Sequence, residues 1–367
     1  MFYDRPRADL LDRLIQLPWL LVVGATVLAG IGCVTLYSVA GGSVEPWAGR
    51  HGLRYLAALA GAIGLALVPS RVWRSTAGAF YIVALGLLAA VPIVGVDALG
   101  AKRWLKIAGV SVQPVEIMKV ALVLALAQFY ALLEDSRRAS RPHWVLFALT
   151  IIAIPALLTV RQPDLGSAIL LTAVGLGIMF LAGVSLLWFG GGLALIAAAM
   201  PFAPGLLHDY QRRRIETFLD PSRDPLGAGY HIAQARIALG NGGLDGKGYL
   251  QGTQSQLDFV PEKMTDFVFV AIAEEWGFVG AVTVLALYAT VIVLLFVMAL
   301  KADRAFARLT IAGTALMLTV YVTINIAMVT GLVPVVGVPL PLISYGGTAM
   351  TTLMIALGLA MSANRRT

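Results

Sequence analysis

The sequence predicts an all-α protein, a polytopic membrane helix bundle of about ten transmembrane helices with a long extracytoplasmic loop. Of the 367 residues, 59% are hydrophobic and only 13% are charged, whereas a soluble domain has about 45–50% apolar and about 25% charged residues. The mean hydropathy is +0.84. The apolar residues are gathered in runs of about 20, the length that a helix needs to cross a bilayer, and most charged residues lie between the runs.

Each of the apolar runs is long enough to span a membrane. One of them, 266–300, is too long for a single upright helix, so it must tilt, protrude or break near Gly277 and Gly280. Residues 1–367 are predicted to form one integral membrane domain, on which the long loop 205–265 rests. The predicted spans are 17–39, 53–70, 76–95, 115–133, 144–161, 165–183, 186–204, 266–300, 308–331 and 343–362.

Positive charge between the spans sets the predicted orientation, because short cytoplasmic loops carry an excess of Lys and Arg. An even number of spans puts both termini on one side, and the basic short segments make that side the cytoplasm. The residues that support this prediction are Arg5, Arg7, Arg13, Arg71, Arg74, Arg137, Arg138, Arg141, Lys301, Arg304, Arg308, Arg365 and Arg366.

Two longer segments then face the opposite side, 96–112 and the extracytoplasmic loop 205–265. Both are basic, which the rule permits because long outer loops escape it. The net charge is +7, and since the basic residues border the membrane, an anionic lipid or an anionic substrate is a better partner than nucleic acid.

Cys33 is the single cysteine, so neither a disulfide nor a cysteine metal site is expected within one chain.

Charged residues inside an apolar span are candidates for function, because they are costly in lipid unless paired or hydrated. Glu116 and Lys119 are three residues apart in the fourth span and therefore share one face of the helix. Two interpretations are open: a structural ion pair that locks this span to a neighbour, or the lining of a polar cavity.

The junction of the fifth and sixth spans, Arg161 to Asp164, also has two interpretations. A snorkelling Arg161 and a helix-capping Asp164 explain it structurally, and this is favoured slightly for Asp164. Arg161 and Gln162 are equally suited to face a cavity.

The strongest candidate is Asp266, which follows Glu262 and Lys263 at the end of the long loop and opens the eighth span. Burial raises the pKa of a carboxylate and a nearby lysine lowers it, and such opposed influences suit a general base. The alternative is that Thr265 or Asp266 merely caps the helix.

Two further segments interrupt the helical pattern. The glycine run 240–248 lacks the Lys-Ser/Thr ending of a P-loop, so tight turns against the bundle are the first interpretation, although its amides and Lys247 could hold a pyrophosphate. Residues 339–347 contain two prolines and two glycines at membrane depth, where non-helical backbone occurs only if it is buried or lines a cavity. Ser344 is therefore placed in a wall of the site.

These segments together resemble the SEDS family, the shape, elongation, division and sporulation proteins, over almost the whole chain. The run 252–257 is similar to the RodA branch rather than to the FtsW branch, while Val115 and Met264 stand where Ser and His are usual. The motifs are GAKRWL at 100–105, QPVE at 113–116 with Lys119, QPDLG at 162–166, Tyr210-Gln211 with Arg214, FLDP at 218–221, DPLG at 224–227, GYH at 229–231, GTQSQL at 252–257, PE at 261–262, TDF at 265–267 and PLPLISYGG at 339–347.

The resemblance implies a peptidoglycan glycosyltransferase that polymerises lipid II into glycan strands on the outer face of the bacterial cytoplasmic membrane, during elongation and shape maintenance. Asp266 matches the proposed catalytic aspartate. A lipid pyrophosphate leaves, so direct displacement would invert the anomeric centre, and cations or a divalent ion such as Mg or Mn would stabilise the leaving group. The predicted substrate-binding residues are Arg103, Glu116, Lys119, Arg161, Gln162, Arg214, Lys247, Glu262 and Ser344.

The implied partners are lipid II, the nascent glycan strand, a class B penicillin-binding protein acting as transpeptidase, and other membrane proteins of the elongation complex. Two other classes of function stay open. A bundle with internal charge could be a lipid II flippase or another transporter, which needs no general base, or a non-catalytic scaffold for the transpeptidase. Within the family, an FtsW-like polymerase specific to division is the alternative.

Overall fold

The computed structural model describes residues 10–98, 101–107, 109–133, 136–199, 216–218, 220, 228–257 and 262–365, and within them the apolar runs form helices. The helices are α1 (Leu10–Ile15), α2 (Trp19–Val39), α3 (Ala48–Leu67), α4 (Ser70–Val94), α5 (Pro114–Leu133), α6 (Ser136–Ala139), α7 (Pro142–Arg161), α8 (Leu165–Leu181), α9 (Leu186–Ala199), α10 (Ala228–Asn241), α11 (Thr253–Gln256), α12 (Val268–Leu300), α13 (Ala305–Val329) and α14 (Gly347–Asn364).

Seven helices in the described part of the chain are long and apolar enough to cross a membrane, by length and composition: α2, α4, α5, α7, α12, α13 and α14. Helices α8 and α9 are apolar but shorter, with 17 and 14 residues, and α3 carries Arg50, His51 and Arg54 near its start. Each predicted span thus coincides with a helix, and the polytopic all-α bundle is confirmed.

Three helix starts differ from the predicted ones by four residues or more, and one of them is that of α4, which begins at Ser70 instead of residue 76. Helix α3 begins at Ala48 instead of residue 53, so its first two turns include polar residues that an apolar window leaves out. Helix α14 begins at Gly347 instead of residue 343, because the preceding backbone turns and Leu342 takes a positive φ of 73°. The break predicted in the longest span is confirmed at Gly277, where φ is 67° and ψ is −165°.

Segment 96–112, predicted as a loop, contains a small antiparallel sheet in the order β1-β2-β3. Its strands are β1 (Val96–Ala98), β2 (Ala101–Ile107) and β3 (Val110–Val112). Val96 pairs with Trp104 and Leu105 pairs with Val112. The sheet packs on α4 and α5, so this segment is an ordered cover over one end of the bundle.

Helix α5 lies at the centre of the bundle and is buried along most of its length. Around it pack α4, α8 and α13, while α14 packs closely on α3. At that contact a Cβ on Gly358 would lie 2.6 Å from the carbonyl oxygen of Ala62, so only glycine permits the approach. Small residues at helix contacts are the usual means of close packing in membranes.

Candidate active site

Asp266 lies in a tight turn between the long loop and the start of α12. The turn begins at Glu262, which has a positive φ of 54°, and the carbonyl oxygen of Glu262 accepts hydrogen bonds from the N–H groups of Thr265 (3.0 Å) and Phe267 (3.3 Å). The Thr265 hydroxyl donates to the Glu262 carboxylate at 2.6 Å. The N-cap residue of α12 is Phe267, so neither Thr265 nor the half-buried Asp266 takes the capping position.

The buried non-helical segment 338–346 holds this turn by hydrogen bonds to its backbone. The hydroxyl of Ser344 donates to the carbonyl oxygen of Thr265 at 2.5 Å. The N–H of Tyr345 donates to the carbonyl oxygen of Met264 at 2.7 Å. Ser344 is only 2% exposed, so its hydrogen bond supports the Asp266 turn from the protein interior.

Asn325 is a third support of the turn, and it is not among the site residues predicted from the sequence. It is fully buried in α13, and its side-chain nitrogen donates to the carbonyl oxygens of Asp266 (2.9 Å) and Val338 (2.7 Å). One amide therefore joins the turn to the segment beside it. The available signal was a single amide side chain within the apolar run 308–331, where an uncompensated polar group is costly.

Glycines let the neighbouring backbone approach the Asp266 carboxylate closely. A Cβ on Gly337, whose φ is 74°, would lie 3.5 Å from Oδ2 of Asp266. A Cβ on Gly166, at the start of α8, would lie 2.5 Å from the carbonyl oxygen of Val336. The QPDLG motif thus packs directly against the backbone at Val336, next to Gly337 and the Asp266 carboxylate.

Glu116 and Lys119 form a buried ion pair, as the first of the two interpretations predicts. The Lys119 ammonium lies 2.7 Å from a carboxylate oxygen of Glu116, and the side chains are 2% and 8% exposed. Tyr321 of α13 completes the cluster, because its hydroxyl accepts from Lys119 at 2.7 Å and donates to Glu116 at 2.9 Å. Tyr321 stands one helical turn before Asn325, so α13 links this cluster to the Asp266 turn.

Gln162 compensates for a proline in a neighbouring helix. Pro92 lies inside α4 and has no N–H to donate to the carbonyl oxygen of Leu88. The side chain of Gln162, 5% exposed, donates to that oxygen at 2.8 Å. This contact gives Gln162 a structural role in the bundle.

Arg103, Asp164 and Arg161 surround the same junction. The guanidinium of Arg103, on β2, donates to the carbonyl oxygens of Gln162 (3.3 Å) and Pro163, which fastens the sheet to the turn between α7 and α8. Asp164 caps α8 by accepting from Ser167 N at 3.1 Å, as favoured from the sequence. Arg161 is exposed at the end of α7.

The glycine run 240–248 fills the break in α12. At Gly277 the helix is interrupted, and the N–H of Phe278 donates instead to the carbonyl oxygen of Gly243 at 2.9 Å. A Cβ on Gly246 would lie only 2.1 Å from a backbone oxygen of α12. The predicted tight turns against the bundle are therefore confirmed.

The amides of Lys247 and Gly248 donate to the carbonyl oxygens of Glu274 and Glu275, both at 3.0 Å. The Lys247 ammonium donates to the Thr253 hydroxyl at 2.6 Å and lies 3.8 Å from the Glu274 carboxylate. These groups thus already have protein partners, and a role for Lys247 in binding substrate stays a prediction.

Glu274 and Glu275 of α12 are both buried. Glu274 accepts from the N–H groups of Gln254 (2.8 Å) and Ser255 (3.1 Å) in α11. Glu275 accepts from the Ser38 hydroxyl. The GTQSQL motif is thereby tied to α12 through a buried carboxylate.

These contacts do not test two of the predictions, substrate binding by Arg214 and a divalent metal ion at the pyrophosphate. Arg214 lies outside the described residues. Within the described ranges, no three or more His, Cys, Asp or Glu residues group closely enough to hold a metal ion, so the protein side of a divalent site is not built from such a cluster there.

Residues 13–367 match the family described as "Cell cycle protein", that of FtsW, RodA and SpoVE. The chain is 47% identical over 299 residues to the peptidoglycan glycosyltransferase MrdB of Escherichia coli K12, an alignment covering 81% of this chain and 80% of MrdB.

Solved structures show the same similarity. One chain, from work described as structural coordination of polymerization and crosslinking by a peptidoglycan synthase complex, superimposes with a TM-score of 0.80 at 31% identity, covering 95% of this chain and 97% of that one. The rod shape determining protein RodA of Thermus thermophilus gives 0.69 at 28% identity, covering 95% and 96%. The chain therefore belongs to the FtsW, RodA and SpoVE family.

Proposed function

We propose that this chain is a peptidoglycan glycosyltransferase that polymerises lipid II into glycan strands during elongation and shape maintenance, with Asp266 as the general base. The single observation that carries the role of Asp266 is its setting. The turn that carries this half-buried carboxylate is fixed through its backbone by Asn325, Ser344 and Tyr345. Fixed geometry is what general base catalysis requires.

In the proposed reaction, a sugar hydroxyl of the acceptor attacks the anomeric carbon of the donor. Asp266 takes the hydroxyl proton as the new carbon–oxygen bond forms. The bond from the anomeric carbon to the lipid pyrophosphate breaks, and the electron pair leaves with the pyrophosphate. A single direct displacement inverts the anomeric centre. Pyrophosphate leaves without being protonated, so no second carboxylate is needed as an acid.

The charge on the leaving pyrophosphate must be stabilised by cations. Of the predicted residues, Lys119 is buried in its ion pair and Arg103 is bound to two carbonyl oxygens, whereas Arg161 is exposed. Arg54, overlooked in the sequence, lies with its guanidinium carbon 4.8 Å from the ring centre of Tyr345, next to the Asp266 turn. A Mg or Mn ion at the pyrophosphate stays a prediction, and no step above depends on it.

The polypeptide partner that we propose is a class B penicillin-binding protein, a transpeptidase, together with other membrane proteins of the elongation complex. Support comes from the structural neighbour, whose description names a synthase complex that coordinates polymerization and crosslinking. Coupling would let the transpeptidase act on each strand as it is made.

Polymerisation by the purified protein is the direct test. The protein in proteoliposomes, with fluorescent lipid II and with or without the transpeptidase, should produce glycan polymer that is resolved on a gel. A transporter would move lipid II across the bilayer without making polymer, and a scaffold would do neither. Absence of polymer under both conditions would contradict the proposed function.

The proposed orientation has both termini in the cytoplasm and the Asp266 turn on the outer face, where flipped lipid II is available. Two exposed acidic residues test it, Asp245 in the glycine run against the break in α12 and Asp303 after the last turn of α12. In a Cys33→Ser background, a membrane-impermeant maleimide added to intact cells should label Asp245→Cys and spare Asp303→Cys. Permeabilised cells should label both variants, and the reverse pattern in intact cells would contradict the orientation.

A further inference from the structure

The end of the bundle remote from Asp266 contains a basic cleft that the proposed reaction does not use. Two adjoining cavities of about 210 and 360 Å³ share Ser70, Arg304 and Ala307 as lining residues. Both are far larger than the roughly 30 Å³ that one water molecule occupies. The cleft lies between the start of α4, the turn from α12 to α13, and the end of α14. The 33 residues of α12 separate it from the Asp266 turn.

The cleft has a strong excess of positive charge. The Lys and Arg side chains that line it are Arg71, Arg74, Lys301, Arg304 and Arg365. Among the described residues that line the cleft, Asp303 is the one acidic residue, and it forms no ion pair with another of them. Arg365 donates to the carbonyl oxygens of Ala66 and Leu67, so the more exposed Arg71, Arg74 and Lys301 carry most of the charge that faces the cleft.

Two helices also begin at the cleft, and both begin without a side-chain cap. The N-cap residues are Pro69 for α4 and Arg304 for α13, and neither helix has an acidic residue in its first turn. Each helix has 25 residues, so its N-terminus offers N–H groups and a partial positive charge. Anions, and phosphates above all, bind at such ends.

Ser70 shows that the cleft is built for a polar ligand. It is 6% exposed and lines both cavities, and no hydrogen bond joins its hydroxyl to another described residue. The hydroxyl oxygen itself is not fully buried, so it is accessible from the cleft and can donate to a ligand there. A phosphate oxygen in the cleft would supply the missing acceptor.

We propose that this cleft binds a phosphate group, held by Arg71, Arg74 and Lys301, by the Ser70 hydroxyl and by the start of α4. The chemistry fits a phosphate, because guanidinium groups and helix N-termini recognise its oxygens. Four of the helices that are long and apolar enough to cross a membrane, α4, α12, α13 and α14, begin or end at the cleft, so we place the cleft near the lipid headgroups. Basic pockets at that depth are typical sites for anionic headgroups. The source of the phosphate is either such a headgroup or free phosphate.

Thermal unfolding of the full chain in nanodiscs tests the proposal. In one arm, phosphatidylglycerol replaces phosphatidylcholine stepwise; in the other, inorganic phosphate is added to phosphatidylcholine nanodiscs. We expect phosphatidylglycerol to raise the melting temperature. The half-saturating fraction should increase about tenfold or more in the R71Q/R74Q double variant, given the usual contribution of two arginines at an anionic surface. Stabilisation by inorganic phosphate with the same dependence on the variant would identify free phosphate as the source.

The matched control is R138Q/R308Q, which removes the same charge from exposed arginines outside the lining of the two cavities. It should leave the half-saturating fraction unchanged. Equal weakening in both double variants would show diffuse attraction to the surface and overturn the proposal, as would no response to either phosphate source. If R71Q/R74Q does not fold, Lys301→Gln and Ser70→Ala replace it, with the same expected direction.

Discussion

The Asp266→Asn protein should lose polymerase activity by roughly 10²–10⁴-fold, the range that one general base contributes, while keeping its fold. Asparagine has nearly the shape of aspartate, and the groups that fix the turn bind main-chain oxygens that the substitution leaves in place. Those groups are Asn325, Ser344 and Tyr345. The measurement is the initial rate of polymer formation from lipid II, alongside a melting curve.

Asp245→Asn is the matched control, because Asp245 is an exposed aspartate on the same long loop and should retain both rate and stability. Asp266→Glu should recover part of the activity, since it restores a carboxylate at a displaced position. If Asp266→Asn is well folded and nearly as active as the wild type, Asp266 is not the base.

The sequence predicted the parts of this structure that depend on local pattern. Apolar runs of about 20 residues mark the helices whatever they pack against. The ion pair of Glu116 and Lys119 is one of the two interpretations that their spacing on one helix left open. The break at Gly277 is one of the three outcomes, tilt, protrusion or break, expected of a span too long for one upright crossing. In each case the cause lies within a few residues of the effect.

The contacts that position the site depend on pairs far apart in the chain. Gln162 is explained by Leu88, 74 residues away, and only because Pro92 leaves that oxygen without its helical partner. Glu274 is explained by the backbone amides of Gln254 and Ser255 in α11, about 20 residues earlier. No spacing rule predicts either pair, since neither partner is unusual alone.

Asn325 is an intermediate case. The sequence shows that a polar side chain at this position of an apolar helix needs a partner. It does not show that the partners are the carbonyl oxygens of Asp266 and Val338. The prediction of a loop at 96–112 was wrong for another reason. Its strands have three to seven residues, too short for alternation to stand out beside long apolar runs.

Removing one charge from the Glu116–Lys119 pair should destabilise the protein more than removing both. In the Lys119→Met variant, the Glu116 carboxylate stays buried and keeps the hydrogen bond from the Tyr321 hydroxyl but loses its cationic partner. An unpaired buried charge of this kind typically costs about 3–5 kcal/mol. The Glu116→Gln and Lys119→Met double variant leaves no net charge and should recover a large part of that loss.

The size of the expected loss in stability distinguishes the buried ion pair from an ordinary hydrogen bond between helices. Tyr321→Phe removes hydrogen bonds but no charge, and such bonds in membrane bundles are worth only about 0.6 kcal/mol on average. It should therefore lower the melting temperature far less than Lys119→Met does. A double-mutant cycle on unfolding of the purified protein measures the coupling between Glu116 and Lys119. If the single effects simply add, the two side chains do not act as a pair, and the 2.7 Å contact between them contributes nothing to the stability of the protein.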